Sequence, residues 1–553
     1  MASSATRLRK EKKATQLVFC CSSFRVYLIH NMKRVLLFSL TIACLFGCST
    51  DKPTSPPPLP SKPRIVITAD PELDDLNSLI RFILYSTDVK VEGLIYASSQ
   101  FHWAGDGKGT KKLVPGREYT RGGLKICPCE SWRWAKDEQF IHDVVEAYEK
   151  SYPNLKVHNP DYPAPEYLKS KIKWGNIKFD GDISEDSEGS DWIKSLILDN
   201  EPGKLFITAW GGQSTIARAL KSIQDQYQNT PEWKSIQDKV INKVVLLPSG
   251  DQDDTYRDYI KPNWQGIDYR QFRGGPRYSY GAQLGASKND SIYLTPAWIK
   301  DNISDRGALG ALYRVWGDGK QMVKGDKFDY FGLSGYTNEQ LKAKGYFVWM
   351  PVQQKGSWLG EGDTGTFMNM LDNGLRGYED KSYGGWGGRF IPSKDEVDIF
   401  QMDSTKRDSI MGAMFYQNKI ENTQGNLAFF PAAMNDFAAR LKWTVTPKYE
   451  DANHEPKVVV KGPLNITAKP GDDVEIKTEI TDPDNNAIFV RWWQHPASTY
   501  TKEVPMKSSN MTEGFVTIPA DAKPGDIIHI IIQASDQVEL PLTRYQRIII
   551  TVN

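Results

Sequence analysis

The stretch ITADPELDD at residues 67–75 places three aspartates, Asp70, Asp74 and Asp75, directly after the apolar run at residues 65–67. An apolar, helix-like segment follows. Carboxylates prefer water, and three of them are more than the capping of one helix requires. They repel one another unless a cation lies between them, and Ca²⁺ binds about six to eight oxygen ligands of this kind. The spacing therefore favours a metal site over an acidic turn.

Strand-like and helix-like segments alternate from residue 64 to about residue 260. RIVIT, VKVEGLIYAS, KLFITAW and NKVVLLPSG have the composition of buried strands, and the segments between them have helical periodicity. This alternation predicts an α/β fold with a mostly parallel sheet and helices on both faces. Ligands bind beyond the carboxyl ends of such strands. Because TADPELDD, SSQFHW, WGGQS and SGDQDD each follow a strand, we expect them to line one edge of the sheet.

A different pattern begins after the break near TPKYEDANHEPK. Period-two strands separated by turn residues predict a C-terminal all-β, immunoglobulin-like sandwich over residues 452–553, after an α/β domain over residues 64–447. The acidic stretch DPDNN at residues 482–486 could ligate calcium, but an Asx-rich hairpin turn is the favoured interpretation.

The N-terminal part indicates the cellular compartment. From Met32, two basic residues precede an apolar stretch that ends in LFGC, which resembles the lipobox of bacterial lipoproteins. The stretch is too short for an ordinary transmembrane helix. We interpret residues 32–48 as a lipoprotein signal peptide and Cys48 as the lipidated residue. A plain signal peptide with a chance cysteine is the alternative.

The segments around this signal have simpler interpretations. Residues 1–31 precede a complete signal, so we interpret them as a misassigned start. Residues 49–63 are rich in Pro and Ser and predict an extended linker. We therefore expect a protein of the bacterial cell envelope that contacts the membrane only through its lipid anchor.

Composition excludes one class of partner. The formal net charge is +1, and 25% of the residues are charged, so no electrostatic attraction to nucleic acid is expected. Only two of the six cysteines, Cys127 and Cys129, lie after the signal. We interpret them as an inert pair in a loop, because their spacing strains a disulfide and two further zinc ligands are missing.

The motif ITADPELDDLNSLI resembles the N-terminal Asp-rich motif of nucleoside hydrolases, Asp-x-Asp-Pro-Gly-x-Asp-Asp. GLIYASSQ, GGQSTIARAL and EGDTGTF are similar to three later segments of that family, in the same order. The resemblance implies a nucleoside-hydrolase-like fold and a Ca²⁺ ion held by Asp70, Asp75, the carbonyl of Ser214, and Asp363.

A narrower resemblance covers roughly residues 64–553. FHW, SGDQDD and GGWGGRF are similar to bacterial secreted proteins that join a nucleoside-hydrolase-like domain to a C-terminal sandwich and are described as cellulose-binding. Four positions depart from the nucleoside hydrolase pattern. Thr68 replaces an Asp, Glu72 a Gly, Gln100 a ribose-contacting Asn, and Gly362 a His. The metal ligands are thus preserved while the sugar and base contacts have changed.

The resemblance implies a hydrolytic mechanism in which Asp70 accepts a proton from the attacking water and Asp74 orients a sugar hydroxyl. His102 is a candidate for assistance to the leaving group, and Trp103 and Trp386 are candidates for stacking on a sugar. The predicted substrate contacts come from these positions and from the segments at the strand ends: Gln100, His102, Trp103, Gln213, Gln252, Asp253, Glu361 and Trp386.

Three functions compete at this point. We predict a calcium-dependent glycosidase of nucleoside-hydrolase-like type, acting on a diol-bearing sugar in a polysaccharide or glycoside. The alternative is a non-catalytic carbohydrate-binding or cellulose-binding surface lipoprotein, in which calcium would only bind diols. A scaffold without ligand chemistry is disfavoured, because it gives no reason for four polar segments to converge on one edge of the sheet.

Overall fold

The computed structural model describes the following residues: 62–117, 119–120, 125–272, 278–284, 286–393, 399–402, 429–508 and 510–553. The predicted signal peptide and Cys48 lie outside the described residues.

Eight strands form one sheet, and their bounds are β1 Arg64–Ala69, β2 Lys90–Tyr96, β3 Ile172–Trp174, β4 Leu205–Ala209, β5 Val244–Pro248, β6 Asp268–Gln271, β7 Phe390–Pro392 and β8 Ile399–Met402. Their spatial order is β3-β2-β1-β4-β5-β6-β8-β7. All neighbours are parallel except β7, which pairs with β8 in the antiparallel direction. The predicted mostly parallel sheet is confirmed.

The helices are α1 Leu73–Leu84, α2 Phe140–His158, α3 Pro165–Ser170, α4 Glu188–Leu198, α5 Ser214–Tyr227, α6 Trp233–Lys243, α7 Lys261–Asn263, α8 Pro296–Ile299, α9 Gly307–Leu312, α10 Asn338–Ala343, α11 Thr364–Met368 and α12 Phe429–Trp443. Helices α1 and α2 pack on one face of the sheet, and α4, α5 and α6 pack on the other. The sheet is therefore covered on both sides, as the sequence predicts.

Strand β1 shows why the sheet is buried on both faces. All six of its residues are buried. Ile65 and Ile67 belong to the apolar cluster beneath α1, whereas Val66 belongs to the cluster beneath α5. Burying each of these side chains contributes about 1.5–3 kcal/mol. A strand with apolar side chains on both faces is stable only between two helical layers.

The spatial order places β2, β1, β4 and β5 side by side, so the segments after them share one edge. Backbone hydrogen bonds connect these segments. The Gly212 N–H donates to the Ser98 carbonyl at 2.9 Å, and the Gln100 N–H donates to the Gln252 carbonyl at 3.2 Å. The predicted convergence of the four polar segments is confirmed.

The C-terminal part contains two four-stranded sheets, built from β9 Lys457–Val460, β10 Asn465–Ala468, β11 Asp473–Thr481, β12 Ile488–Gln494, β13 Met506–Ser508, β14 Glu513–Thr517, β15 Ile527–Asp536 and β16 Thr543–Val552. The orders are β10-β16-β15-β12 and β13-β14-β11-β9. Apolar residues from both sheets form one buried cluster. The all-β prediction is confirmed, and the immunoglobulin-like assignment stays a prediction.

Strand β16 attaches the C-terminal sheets to the α/β part of the chain. The Tyr545 N–H donates to the Asn373 carbonyl at 2.8 Å, and the Arg547 N–H donates to the Gly374 carbonyl at 2.9 Å. Gly374 has φ +85°, and a Cβ atom there would lie 1.7 Å from the Tyr545 carbonyl oxygen. Only glycine fits this close approach of two backbones.

Two local predictions have clear outcomes. Cys127 and Cys129, which the sequence suggested were an inert pair in a loop, are joined by a disulfide. In DPDNN, Asp482 Oδ1 accepts hydrogen bonds from the N–H groups of Asp484 and Asn486 at 2.9 and 3.0 Å, which is the predicted Asx-rich turn. Among the described residues, no helix has the length and apolar character needed to cross a membrane.

Candidate metal and catalytic site

Asp70 lies immediately after β1 and is fully buried. The Ser99 hydroxyl donates to Asp70 Oδ2, while Oδ1 has no hydrogen-bond partner. The Asp70 N–H donates to Asp75 Oδ1 at 3.1 Å. The turn between β1 and α1 therefore brings two carboxylates together and leaves one buried oxygen unsatisfied, which is costly unless a ligand completes it.

Asp74 lies in the first turn of α1 and is also buried. The Gly362 N–H donates to Asp74 Oδ2 at 3.1 Å, and Oδ1 has no partner. A Cβ atom at position 362 would lie 2.2 Å from Asp74 Oδ2. Only glycine therefore fits at position 362 in this chain, because a side chain there would overlap the Asp74 carboxylate.

Asp363 joins the cluster from a segment remote in sequence. It precedes α11 and is 3% exposed. The Ser249 hydroxyl, which follows β5, donates to Asp363 Oδ1. Four buried aspartates thus meet at the strand ends.

The pKa values of all four aspartates are raised, as expected for buried carboxylates without a cationic partner. Burial raises the pKa of Asp70 to about 7 and that of Asp74 to about 6. Burial and the neighbouring carboxylates hold the pKa values of Asp75 and Asp363 well above the usual range. Bringing these groups together without a cation is therefore unfavourable.

The residues fit Ca²⁺. Within the described ranges, no Lys or Arg forms an ion pair with any of the four aspartates. The donors are oxygens, and two of them, Asp70 Oδ1 and Asp74 Oδ1, are buried without a partner. Hard, oxygen-rich donor sets of this kind suit Ca²⁺.

The segment WGGQS reaches the cluster through its glycines. A Cβ atom at Gly211 would lie 2.9 Å from Asp70 Oδ1, so only a bare backbone fits there. Ser214 is the first residue of α5, and its N–H donates to Asp253 Oδ2 at 2.8 Å. The predicted ligand role of the Ser214 carbonyl stays a prediction.

Two predicted substrate contacts carry unpartnered oxygens. The Gln252 side-chain amide donates to the Trp210 carbonyl at 2.6 Å, and its Oε1 has no partner. The Gln213 amide donates to the Tyr269 hydroxyl at 2.9 Å, and its Oε1 likewise has none. The backbone N–H of Gln100 is bonded to the Gln252 carbonyl, which places these two residues together.

Two other predicted contacts are occupied by structural bonds. Asp253 Oδ1 accepts from the Thr255 hydroxyl at 2.7 Å, and its Oδ2 accepts from the Ser214 N–H. Both oxygens of Glu361 are bound by Arg81, with further bonds from Tyr313 and Thr364. These bonds give no support to a substrate contact by either residue.

The proposed stacking tryptophans are both buried, and the expectation of exposed stacking surfaces is corrected here. Trp103 is 0% exposed and packs against Phe179. Trp386 is 3% exposed, and its indole N–H donates to the Tyr545 hydroxyl at 3.3 Å. Both rings are held inside the protein by residues remote in sequence, so neither presents a face to a sugar.

His102 lies inside the site, and its ring is neutral. It is fully buried, and its Nδ1 is 2.8 Å from the Arg133 carbonyl oxygen. Burial holds the pKa of His102 well below its usual value. The neutral ring donates from Nδ1 to the carbonyl, so its Nε2 is an acceptor. The predicted assistance to a leaving group by proton donation therefore has no support.

Four residues of the site were absent from the predicted contacts. Ser99 and Ser249 donate to aspartates, and the Tyr280 hydroxyl accepts from the Asp74 N–H at 3.2 Å. Ligand atoms of Glu72, Asp74 and Asp75 lie within 4.8 Å of one another. The sequence did point to the two serines, because each lies in a polar segment that follows a strand. It gave no indication of Tyr280.

Comparison with known proteins agrees with this geometry. No curated protein matches the chain. A nucleoside hydrolase-related hypothetical protein from Saccharophagus degradans, described as associated with carbohydrate metabolism, is 22% identical, with a TM-score of 0.62 over 89% of this chain and 100% of that chain. The effector protein XOO4466 is 10% identical over 62% of this chain and 88% of that chain, with a TM-score of 0.31, which carries no argument.

Two family descriptions match the chain. Residues 473–552 match "Cellulose-binding protein Sde0182, C-terminal domain". Residues 64–390 match "Cellulose-binding Sde182, nucleoside hydrolase-like domain". Since the second match covers more than half of the chain and the sheet carries the aspartate cluster at its strand ends, the chain belongs to the cellulose-binding Sde182 family with a nucleoside hydrolase-like domain.

Proposed function

We propose that the protein is a calcium-dependent glycoside hydrolase that acts on a sugar with vicinal hydroxyls, in polysaccharide or glycoside processing. The observation that carries this proposal is the pair of buried, unpartnered oxygens, Asp70 Oδ1 and Asp74 Oδ1, within one cluster of aspartates. A binding protein needs only the metal ligands. An oriented second carboxylate such as Asp74 has a use when a sugar is held for reaction.

The metal would be held by Asp70, Asp75, the Ser214 carbonyl and Asp363. When bound, Ca²⁺ supplies a site for sugar hydroxyls and a water molecule and stabilises negative charge on that water.

The side chains have separate roles in the proposed reaction. Ser99 fixes Asp70 through Oδ2, so Oδ1 is oriented to accept a proton from the water that attacks the anomeric carbon. Gly362 fixes Asp74 through Oδ2, which leaves Oδ1 to accept a hydrogen bond from a sugar hydroxyl. Gln252 Oε1 is a further acceptor for a hydroxyl.

Two observations favour a carbohydrate over a nucleoside as the substrate. Thr68 replaces an aspartate of nucleoside hydrolases, and its hydroxyl donates to the Thr208 carbonyl of the adjacent strand at 2.9 Å. The family description names cellulose. A carbohydrate is therefore favoured, because the positions that contact ribose and base in nucleoside hydrolases have changed while the proposed metal ligands are kept.

A product screen tests the proposal. The purified chain with Ca²⁺ is incubated with nucleosides and with a panel of oligosaccharides and aryl glycosides. We expect sugar release by the wild type and loss of it in Asp70→Asn and Asp74→Asn. Asp137→Asn is the matched control, because it makes the same chemical change at an exposed position. Rapid hydrolysis of nucleosides, or sugar release that survives both variants, would contradict the proposal.

Non-catalytic carbohydrate binding is a second candidate function, and one cleft favours it. A cavity of about 760 Å³ lies between α12 and the loop before β16, with Tyr293 and Trp298 in its wall. A neighbouring cavity of about 290 Å³ shares Tyr293 and contains Asn435, whose Oδ1 is buried without a partner. Aromatic rings beside amide groups suit the faces and hydroxyls of sugars.

Retention on insoluble cellulose tests this second candidate. We expect Tyr293→Ala to reduce retention severalfold and Asp70→Asn to leave it unchanged. Equal retention of the wild type and Tyr293→Ala would show that the cleft is not the binding site.

We also propose that the mature protein is anchored to the cell envelope through a lipid on Cys48. The support is the lipobox-like ending of the signal at residues 45–48. Cys48→Ala should move the protein from the membrane fraction to the soluble fraction. An unchanged membrane fraction would contradict the anchor.

A further inference from the structure

His102 presents a lone pair to the interior of the site. A backbone carbonyl can only accept a hydrogen bond, so the contact between His102 Nδ1 and the Arg133 oxygen requires the proton on Nδ1. In the neutral ring, Nε2 then carries a lone pair. This atom is buried and has no hydrogen-bond partner, in a side chain that is 0% exposed.

His102 lies beside two carboxylates. Ligand atoms of Asp70, Glu72 and His102 lie within 4.8 Å of one another. Asp70 Oδ1, like His102 Nε2, has no hydrogen-bond partner. A lone pair and a negatively charged oxygen, both removed from water, repel each other unless an electron-pair acceptor lies between them. A bound cation would satisfy both atoms.

The donor types differ from those of the calcium set. Ca²⁺ prefers oxygen ligands, whereas a set of one imidazole nitrogen and two carboxylates suits Zn²⁺ and related transition metals. In such sites, the second ring nitrogen of the histidine commonly donates to a backbone carbonyl, which fixes the ring. Arg133 supplies that carbonyl here.

We infer that Asp70, Glu72 and His102 form a second metal site, for a nitrogen-accepting divalent ion of the Zn²⁺ class, beside the proposed calcium site and sharing Asp70 with it. Glu72 stands where nucleoside hydrolases carry glycine, so the chain adds a carboxylate where the resemblance predicts none. Because Asp70 is shared, each ion should weaken the binding of the other. This inference holds whether or not the protein hydrolyses a glycoside.

Metal titration of the full mature chain tests the inference without any substrate. Metal-free protein is titrated with Zn²⁺ by calorimetry, and Co²⁺ serves as the spectroscopic probe of nitrogen ligation. We expect one Zn²⁺ per chain, a loss of Zn²⁺ affinity of about tenfold or more in His102→Gln and Glu72→Gln, and little change in Asp363→Asn. Ca²⁺ affinity should fall in Asp363→Asn and change little in His102→Gln.

Two variants separate ligation from misfolding. Glu72 is only partly buried, so Glu72→Gln should fold even if His102→Gln does not. His142→Gln, at a partly buried histidine bonded to the Tyr96 hydroxyl, should leave Zn²⁺ affinity unchanged. Absence of Zn²⁺ binding in the wild type, or equal affinity in the wild type and Glu72→Gln, would overturn the inference. Neither result bears on the product screen.

Discussion

Glu361 and Asp363 are two residues apart in the sequence, and both are buried, yet their surroundings are opposite. Glu361 is paired with Arg81 and accepts further bonds from Tyr313 and Thr364. Asp363 has the Ser249 hydroxyl and otherwise faces other aspartates. Burial of a carboxylate therefore does not by itself indicate a ligand site. The bonds made by each oxygen distinguish a structural ion pair from a site that requires a cation.

The largest effect is expected at the structural pair. Arg81→Ala would leave Glu361 buried without its cation, which should cost about 3–5 kcal/mol of unfolding free energy. Urea denaturation measures it. The double variant Arg81→Met with Glu361→Leu should recover most of this loss, because it removes both charges. A loss below about 1 kcal/mol in Arg81→Ala would show that the pair is not what holds these segments together.

A second structural carboxylate, Asp436, should make the unfolding free energy fall at acidic pH. Burial alone would raise the pKa of Asp436, but the Arg544 and Arg440 guanidinium groups lower it to about 2. Since the folded pKa lies below the unfolded value of about 3.9, its stabilisation is present above pH ~4 and is lost as the pH falls toward 2. The contribution at neutral pH is about 2 kcal/mol. Asp436→Asn should lower stability at pH 7 and flatten the decline between pH 4 and 2.

Denaturation at several pH values checks this, with Asp137→Asn as the exposed control. If the unfolding free energy fell equally steeply between pH 4 and 2 in Asp436→Asn and the wild type, the pKa of Asp436 would not be the cause of the decline.

In the aspartate cluster, removal of one negative charge should stabilise the metal-free protein, whereas at Asp436 it should destabilise the protein. Asp75 is buried among like charges, so Asp75→Asn in chelator should raise the unfolding free energy by about 1 kcal/mol. In excess Ca²⁺ the same variant should be less stable than the wild type, because it loses the stabilisation that a bound ligand gives. Thermal denaturation with and without Ca²⁺ shows whether the two curves cross. Destabilisation by the same amount in both conditions would place Asp75 among the structural carboxylates.

The sequence predicted the sheet and the position of the site, because both follow from local patterns. The apolar residues of β1 specify a strand buried on two faces, and parallel strands bring Asp70 and the segments after β2, β4 and β5 to one edge. The turn at residues 482–486 was equally local. Each of these strands and turns is specified by residues within about ten positions of one another.

What the sequence did not show depends on remote partners. Arg81 and Glu361 are 280 residues apart, so nothing near EGD indicates that one carboxylate is neutralised and the other is not. Trp386 is enclosed by Tyr545, 159 residues away. A tryptophan beside glycines gives the same local pattern whether it faces solvent or a second domain, so its burial could not be predicted.

The smallest effects on stability are expected from two hydroxyl groups. One donates to a carboxylate of the proposed metal site and the other to a structural carboxylate, so they can be compared directly. Ser249 donates to Asp363, and Thr364 donates to Glu361 at 2.9 Å. Ser249→Ala and Thr364→Val each remove one donor at little change in volume, and each should cost about 1 kcal/mol in chelator. Only Ser249→Ala should also weaken Ca²⁺ binding, because Asp363 then loses the bond that orients it. Calorimetric titration with Ca²⁺ distinguishes the two variants. Equal Ca²⁺ affinities would mean that Asp363, like Glu361, is a structural carboxylate. The metal site would then not extend beyond the turn at Asp70.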